Sequence, residues 1–354
     1  MRKLLNRARK RLRGTIVHKV YAFLRYELRV LLLYRLVYNL RRGNWRKVTR
    51  YLAQRAHGVF REVPKGVAID IVSCCNLRCP LCSVPPFITK QSGNFMGLEV
   101  FKRIVGGVSG ATDLSLVYAG EPLLHPEFFE MVRWCASRFY TTTITNGTLL
   151  TEKNNRRLFE SGLDFLQVSF DGFSKESFEK YRVGADFAKV KANIESLLRT
   201  RGASHRGLPH ITITYLVNAF NEHETDACRR HFLGAGADRF FAKAINLNVH
   251  RRLDGKKEDD LREWLPRKTD ISLYEDRGNG IGFKEKEGVC TICLTPIIRC
   301  DGEVLLCCHD IFNSVKIGNA LTTPFEELWN GEEYRMLRAL GRHRRLPVCR
   351  RCGK

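Results

Sequence analysis

From Val67 onward the chain alternates between two hydrophobic rhythms. Short runs rich in β-branched and aromatic residues recur at Val67–Val72, Leu114–Tyr118, Thr141–Thr145, Phe165–Phe170, His210–Val217 and Arg239–Ala244. Between them, apolar positions fall at helical spacing over Leu98–Val105, Glu127–Ser137, Glu152–Ser161, Phe187–Thr200 and Glu222–Leu233. Side chains alternate faces in a strand and return every 3.6 residues in a helix, so the first set predicts strands and the second helices. Their alternation predicts βα units around a parallel sheet. Six units over residues 66–250 predict an α/β fold, an open partial (β/α)6 TIM-like barrel. Functional side chains in such a fold gather at the C-terminal ends of the strands.

The flanks read differently. Val17–Leu40 is densely apolar, with His18, Arg25, Arg29, Asn39 and Arg42 at roughly helical spacing. This predicts a basic amphipathic helical segment within residues 1–60. Its wide apolar face suits a membrane interface or docking on the chain's own barrel, and the pattern leaves both open. Residues 251–287 are charged and irregular and predict a linker. Residues 288–354 form a small Cys-rich module. In it Ile297–Leu306 predicts a β-hairpin turning at Asp301-Gly302, and a helix is expected near Thr323.

Charge sharpens this division. The 354-residue chain has a net charge of +23, with +17 on residues 1–65 and +8 on residues 335–354. The barrel is therefore near neutral and the ends are basic, which favours anionic partners such as a lipid surface or, less readily, nucleic acid. No uncharged run in Val17–Leu40 exceeds five residues, too few to span a bilayer, and no secretory signal is read. The expectation is a cytoplasmic protein with peripheral attachment at the inner membrane surface. Thirteen Cys in a reducing compartment read as metal ligands rather than disulfides.

The cysteines form two groups. Cys75, Cys79 and Cys82 follow the first strand with C-x3-C-x2-C spacing. Three thiolates can hold three irons of a [4Fe–4S] cube, leaving the fourth open to a small molecule. A zinc knuckle competes, but it needs a fourth ligand, and none stands nearby before Cys135. The second group is Cys290, Cys293, Cys300, Cys307, Cys308, Cys349 and Cys352. On spacing alone a zinc ribbon competes there too, because C-x2-C pairs suit zinc. Cys135 and Cys228 lie in helical patterns and read as core, and lone His125 reads as structural.

The first loop resembles that of the radical S-adenosylmethionine (radical SAM) superfamily, and so do three further strand ends. Ala119-Gly120-Glu121-Pro122 resembles the Gly-Gly-Glu-Pro segment that binds the SAM amino group. Thr145-Asn146-Gly147 closes the third strand, as in family members. Ser169-Phe170-Asp171-Gly172 resembles the Ser-x-Asp-Gly segment near the SAM ribose and carboxylate. The departures are Ala119 for the first Gly and Leu81 where an aromatic residue often packs near adenine. The resemblance implies SAM binding by Gly120, Glu121, Pro122, Asn146, Ser169 and Asp171. It also implies a one-electron reductant such as flavodoxin or ferredoxin, and reductive cleavage of SAM to a 5′-deoxyadenosyl radical that abstracts substrate hydrogen.

The C-terminal module resembles a SPASM/twitch extension, which implies one auxiliary [4Fe–4S] cluster on Cys307, Cys349, Cys352 and either Cys290 or Cys293. Cys300 and Cys308 are then spare. Either could return a hydrogen atom to substrate, as in epimerases of the family, though a small buried hydrophobe is the plainer reading of each. The substrate expected is lipid-linked or of sugar or aminocyclitol type, with a peptide as the second choice. The contrasting expectation is a non-catalytic Cys-rich metal protein that binds nucleic acid through its basic ends.

Overall fold

The computed structural model describes residues 63–82, 95–202, 209–245, 262–267, 272–276, 281–284, 290–310 and 315–352, with a few single positions between 45 and 53. The amphipathic segment expected within residues 1–60 lies outside the described residues apart from those positions.

Six parallel strands follow one another: β1 (Gly66–Ile69), β2 (Asp113–Ser115), β3 (Tyr140–Thr145), β4 (Phe165–Ser169), β5 (His210–Val217) and β6 (Arg239–Ala244). The helices between them are α1 (Leu98–Gly106), α2 (Phe128–Cys135), α3 (Glu152–Ser161), α4 (Lys175–Tyr181), α5 (Phe187–Gly202) and α6 (Thr225–Gly234). This is the open α/β barrel that the two rhythms predict. On β5, Ile211, Ile213, Tyr215 and Val217 are buried in one core with Val190, Ile194 and Leu197 of α5 and Phe232 of α6. Each such side chain contributes about 1.5–3 kcal/mol on full burial, so this shell between sheet and helices holds the barrel together.

Local signals fix the helix ends. Thr151 Oγ1 accepts from Asn154 N at 3.3 Å to start α3, and Gly162, at φ +81°, ends it. Ser174 caps α4 in the same way through Ser177 N at 3.2 Å. Helix α4 is not anticipated by the hydrophobic pattern because its seven residues bury only Ser177, Phe178 and Tyr181.

Among the described residues the sheet has eight strands: β1 to β6 in sequence order and two short ones beyond β1. Strand β9 (Ile297–Ile298) runs parallel to β1, with Ala68 opposite Ile297, and β10 (Val304–Leu305) returns antiparallel to it. The predicted hairpin therefore exists, with Gly302 at φ +82° in its turn, and it extends the barrel sheet. Helices α7 (Phe325–Asn330) and α8 (Glu332–Arg342) close the module. Within the basic tail, Arg338 is buried. Its guanidinium lies 3.9 Å from the Trp329 ring centroid and donates to Trp329 O at 2.6 Å, which supplies part of the stabilisation a buried charge needs.

The stretch read as a linker also contributes structure. It holds an antiparallel pair, β7 (Tyr274–Asp276) and β8 (Ile281–Phe283). Its buried Trp264 and Tyr274 pack with Leu77, Cys79, Leu81 and Tyr181, over the first cysteine loop.

The loops after β1 and β2 are pressed together at Gly120. A Cβ there would lie 2.2 Å from Val72 O and 2.5 Å from Cys74 O. Gly120→Ala is expected to cost about 3 kcal/mol or more, because backbone carbonyls cannot move aside as a side chain can. Gly234→Ala, with nothing within 4 Å, serves as the control. Thermal denaturation followed by circular dichroism should show a fall for the first variant and none for the second.

Candidate active site

A cavity of about 620 Å³ opens at the C-terminal ends of the first four strands. The cysteine loop supplies one wall with Cys75, Cys79 and Cys82. The loops after β2, β3 and β4 add Gly120, Glu121, Asn146 and Ser169. Ile292, Thr295 and Cys308 come from the C-terminal module. Four of the six residues expected to contact SAM thus face one space with the three thiols.

Cys79 is buried, and Cys75 and Cys82 are half-buried. Burial pushes the Cys75 and Cys79 thiols up, and for Cys79 the neighbouring Arg182 works against that rise. Asn146 Nδ2 points at Cys75 Sγ from 3.8 Å and donates to Asn76 Oδ1 at 2.8 Å, which ties the cysteine loop to the end of β3. Three soft thiols on one loop, beside a cavity of this size, are a donor set that fits an iron–sulfur cluster with a small-molecule ligand.

Glu121 is buried, and its two oxygens are already engaged. Oε1 accepts from Thr145 Oγ1 at 2.7 Å and Leu123 N at 3.2 Å, and Oε2 from Asn146 N at 2.7 Å. Burial carries its carboxyl up to about 7 in spite of these bonds. The group acts as a clamp between the loop after β2 and the end of β3. Ser169 Oγ lies 3.2 Å from Thr214 Oγ1.

Two of the expected contacts are placed elsewhere. Pro122 is buried at the start of a short 3-10 turn, Pro122–Leu124, outside the cavity wall. Asp171 is also buried and off the wall. Its Oδ1 accepts from Leu216 N at 2.6 Å, and its other oxygen forms an ion pair with Arg182. Arg182 does line the cavity. It escapes a motif reading because it is a lone basic residue at the end of a short polar helix.

A second, smaller cavity gathers Cys290, Cys293, Cys307, Cys349 and Cys352 with His309 and Arg344. All five expected ligand candidates thus meet in space. Burial pushes Cys307 up to about 12. Cys293 is buried, its sulfur 3.7 Å from both Cys290 O and Arg338 O. Among the described residues no three His, Cys, Asp or Glu side chains converge on a single-ion site. The spare thiols separate: Cys308 is on the first cavity's wall, while Cys300 is on neither and bonds to Ser73. Cys135 and Cys228 are core, and His125 is structural, its Nε2 3.0 Å from Met96 O. The two cavities are neighbours, since Ile292 lines both and Cys307 and Cys308 are adjacent.

Comparison with known proteins agrees with this geometry. Residues 69–229 match the radical SAM superfamily, and residues 290–353 match an iron–sulfur cluster-binding domain, SPASM. The tungsten-containing aldehyde ferredoxin oxidoreductase cofactor-modifying protein of Pyrococcus furiosus is 26% identical over 315 residues, covering 82% of this chain and 87% of that one. Among solved structures, BtrN in complex with AdoMet and 2-DOIA superposes with a TM-score of 0.52 at 17% identity, covering 82% of this chain and 94% of BtrN. Streptococcus suis SuiB bound to precursor peptide SuiA gives 0.57 at 16% identity, covering 82% and 71%. The two matched domains imply a [4Fe–4S] cluster with SAM in the barrel and auxiliary iron–sulfur binding at the C-terminal end. The chain belongs to the radical SAM superfamily, as an enzyme with a C-terminal SPASM domain.

Proposed function

We propose that Cys75, Cys79 and Cys82 hold the SAM-binding cluster, and that the enzyme takes hydrogen from a sugar- or aminocyclitol-type group on an anionic, lipid-linked carrier. When bound, the cluster and SAM supply the 5′-deoxyadenosyl radical that removes the hydrogen atom. The protein's share is to orient the partners and exclude water. Glu121 and Asn146 keep the strand ends in register, and Trp264 and Tyr274 cover the cysteine loop. Cys308, on the wall of the same cavity, is assigned to the substrate side. The electron comes from an external one-electron donor, for which a flavodoxin or ferredoxin is proposed.

The observation that carries the substrate class is a row of side chains across the sheet. Ser169, on the cavity wall, is opposite Thr214, and Thr214 is opposite Phe241 on the edge strand β6. Registered neighbours share a face, so this row runs from the cavity to the sheet's edge, roughly 10 Å in two inter-strand steps. Phe241 is 43% exposed, and Arg239 and Lys243 share its face of β6 and are exposed too. An apolar ring between two cations suits a phosphate-bearing apolar carrier. The charge of +17 on residues 1–65 supports the same reading, since each Lys or Arg near an anionic leaflet contributes about 1 kcal/mol. No helix among the described residues is long and apolar enough to cross a membrane, so attachment is proposed as peripheral.

A peptide is the second reading, favoured by the place of β6 at the end of the sheet among the described residues. The PqqA peptide cyclase of Granulibacter bethesdensis supports it over part of the chain, at 30% identity over 164 residues, covering 45% of this chain and 41% of that one. The nucleic-acid alternative is not favoured, because both cysteine groups lie in domains of an enzyme family.

For the second site we propose Cys290, Cys307, Cys349 and Cys352 as ligands, with Cys293 held by its carbonyl contacts. Anaerobic reconstitution should then give about eight irons per chain, from two four-iron cubes. Cys290→Ala should fall to about four and Cys293→Ala should stay near eight. The reverse pattern would exchange the two assignments.

Activity offers a separate check. Reduced, reconstituted enzyme should release 5′-deoxyadenosine, measured by chromatography, and Cys79→Ala should release none. Release should rise with an anionic lipid extract and fall at least tenfold in Arg239→Glu/Lys243→Glu. Stimulation by a peptide fraction alone would sink the lipid-linked reading in favour of the second.

A further inference from the structure

Arg182 stands between the cysteine loop and a buried carboxylate. Its backbone N donates to Phe178 O at 2.7 Å, which fixes it as α4 ends. One guanidinium nitrogen, Nη1, lies 3.7 Å from Cys79 Sγ, and the other, Nη2, is ion-paired with Asp171. The Arg182 side chain is 16% exposed, and that of Asp171 2%. Asp171 is itself anchored, through Leu216 N on Oδ1 and through its carbonyl, which accepts from Asn221 Nδ2 at 3.0 Å. Burial opposes the charge on Arg182, but Asp171 and Cys79 outweigh it, so the guanidinium stays charged.

A cation that donates a hydrogen bond to a ligand sulfur stabilises the more negative oxidation state of a cluster, and a nearby anion does the opposite. Little water reaches this pair to screen either effect. We propose that the Asp171–Arg182 pair sets the reduction potential of the SAM-binding cluster through Cys79, with Arg182 raising it and Asp171 limiting the rise. Both are positioning residues in this role. The inference rests on Cys79 being a ligand of that cluster, as proposed above.

The two members carry opposite charges, so their loss predicts opposite shifts. In Arg182→Gln the cation is lost, and the potential falls whether Asp171 remains ionised or takes up a proton. In Asp171→Asn the guanidinium keeps its charge without a counterion, and the potential rises. Arg182→Lys retains the charge but not the fork, and shifts less than Arg182→Gln.

The test is a redox titration of the reconstituted full-length chain, monitored by electron paramagnetic resonance. The relevant cluster is the one whose signal changes when SAM is added, and midpoints are measured before that addition. A fall in Arg182→Gln together with a rise in Asp171→Asn supports the proposal, and the reversed signs overturn it. Unchanged midpoints, or displacement of both in one direction, overturn it, since loosening of the loop has no reason to change sign between the two variants. If Arg182→Gln loads no SAM-responsive cluster, Arg182→Lys and Asp171→Asn decide: a rise in Asp171→Asn supports the pair's role, and no rise overturns it. A Cys79→Ala variant that keeps the SAM-responsive signal would instead remove the ligand assignment beneath the inference.

Discussion

Gly120 has no room for a side chain, and the site depends on that contact. Its backbone lies against the carbonyls of Val72 and Cys74, and the adjacent Glu121 N donates to Cys74 O at 2.8 Å. On the other side, Ala119 N donates to the buried Asp70 at 3.1 Å. The turn after β2 is thus fastened along the turn after β1. The Glu121 carboxylate extends the fastening to Asn146, and Asn146 returns it to Asn76 in the cysteine loop. Three strand ends and the loop form a closed circuit of hydrogen bonds. Such a circuit can hold three thiols in fixed relation, whereas a free loop would lose them to conformational entropy.

The second module is built onto the same circuit. Strand β9 pairs with β1, and Lys65 N donates to Leu294 O at 2.8 Å. Displacing this module would therefore strip a neighbour from the strand that leads into the first cysteine loop. The same attachment sets Cys307 in one cavity and Cys308 in the other. The spacing between the two metal sites follows from the sheet register instead of from a flexible linker.

Chemistry expressed in short local motifs was legible in the sequence. The C-x3-C-x2-C loop and the Gly120-Glu121 turn each sit within a few residues and face one cavity, and β5, β6 and α3 fall at the predicted limits because their periodicities are strong. Features that depend on distant partners were hidden. Asp171 reads as a cofactor contact until Arg182 is seen to occupy it. Trp264 and Tyr274 lie in a charged, irregular stretch, and nothing local says that they close over Cys79. Strand β9 has two residues, too few for any periodicity, so its place beside β1 could not be read. The burial of Arg338 could not be read because Trp329 becomes its neighbour only when α7 folds against α8, where Tyr334, one turn before it on α8, also meets the guanidinium.

Burial of the cysteine loop also bears on how iron is taken up. The Cys75 and Cys79 thiols are held above their ordinary value chiefly by burial, so the neutral thiol is the favoured form. Iron binds the thiolate, and loading must therefore release protons into a site that resists charge. Arg182 eases this at Cys79, with Nη1 3.7 Å from the sulfur. At Cys75 the relief comes from neutral donors, Leu77 N at 3.5 Å and Asn146 Nδ2 at 3.8 Å. Neutral donors stabilise a thiolate less than a cation does. The two sulfurs are therefore electrostatically unequal before any metal arrives: a cation works against burial at Cys79, and neutral donors do so at Cys75.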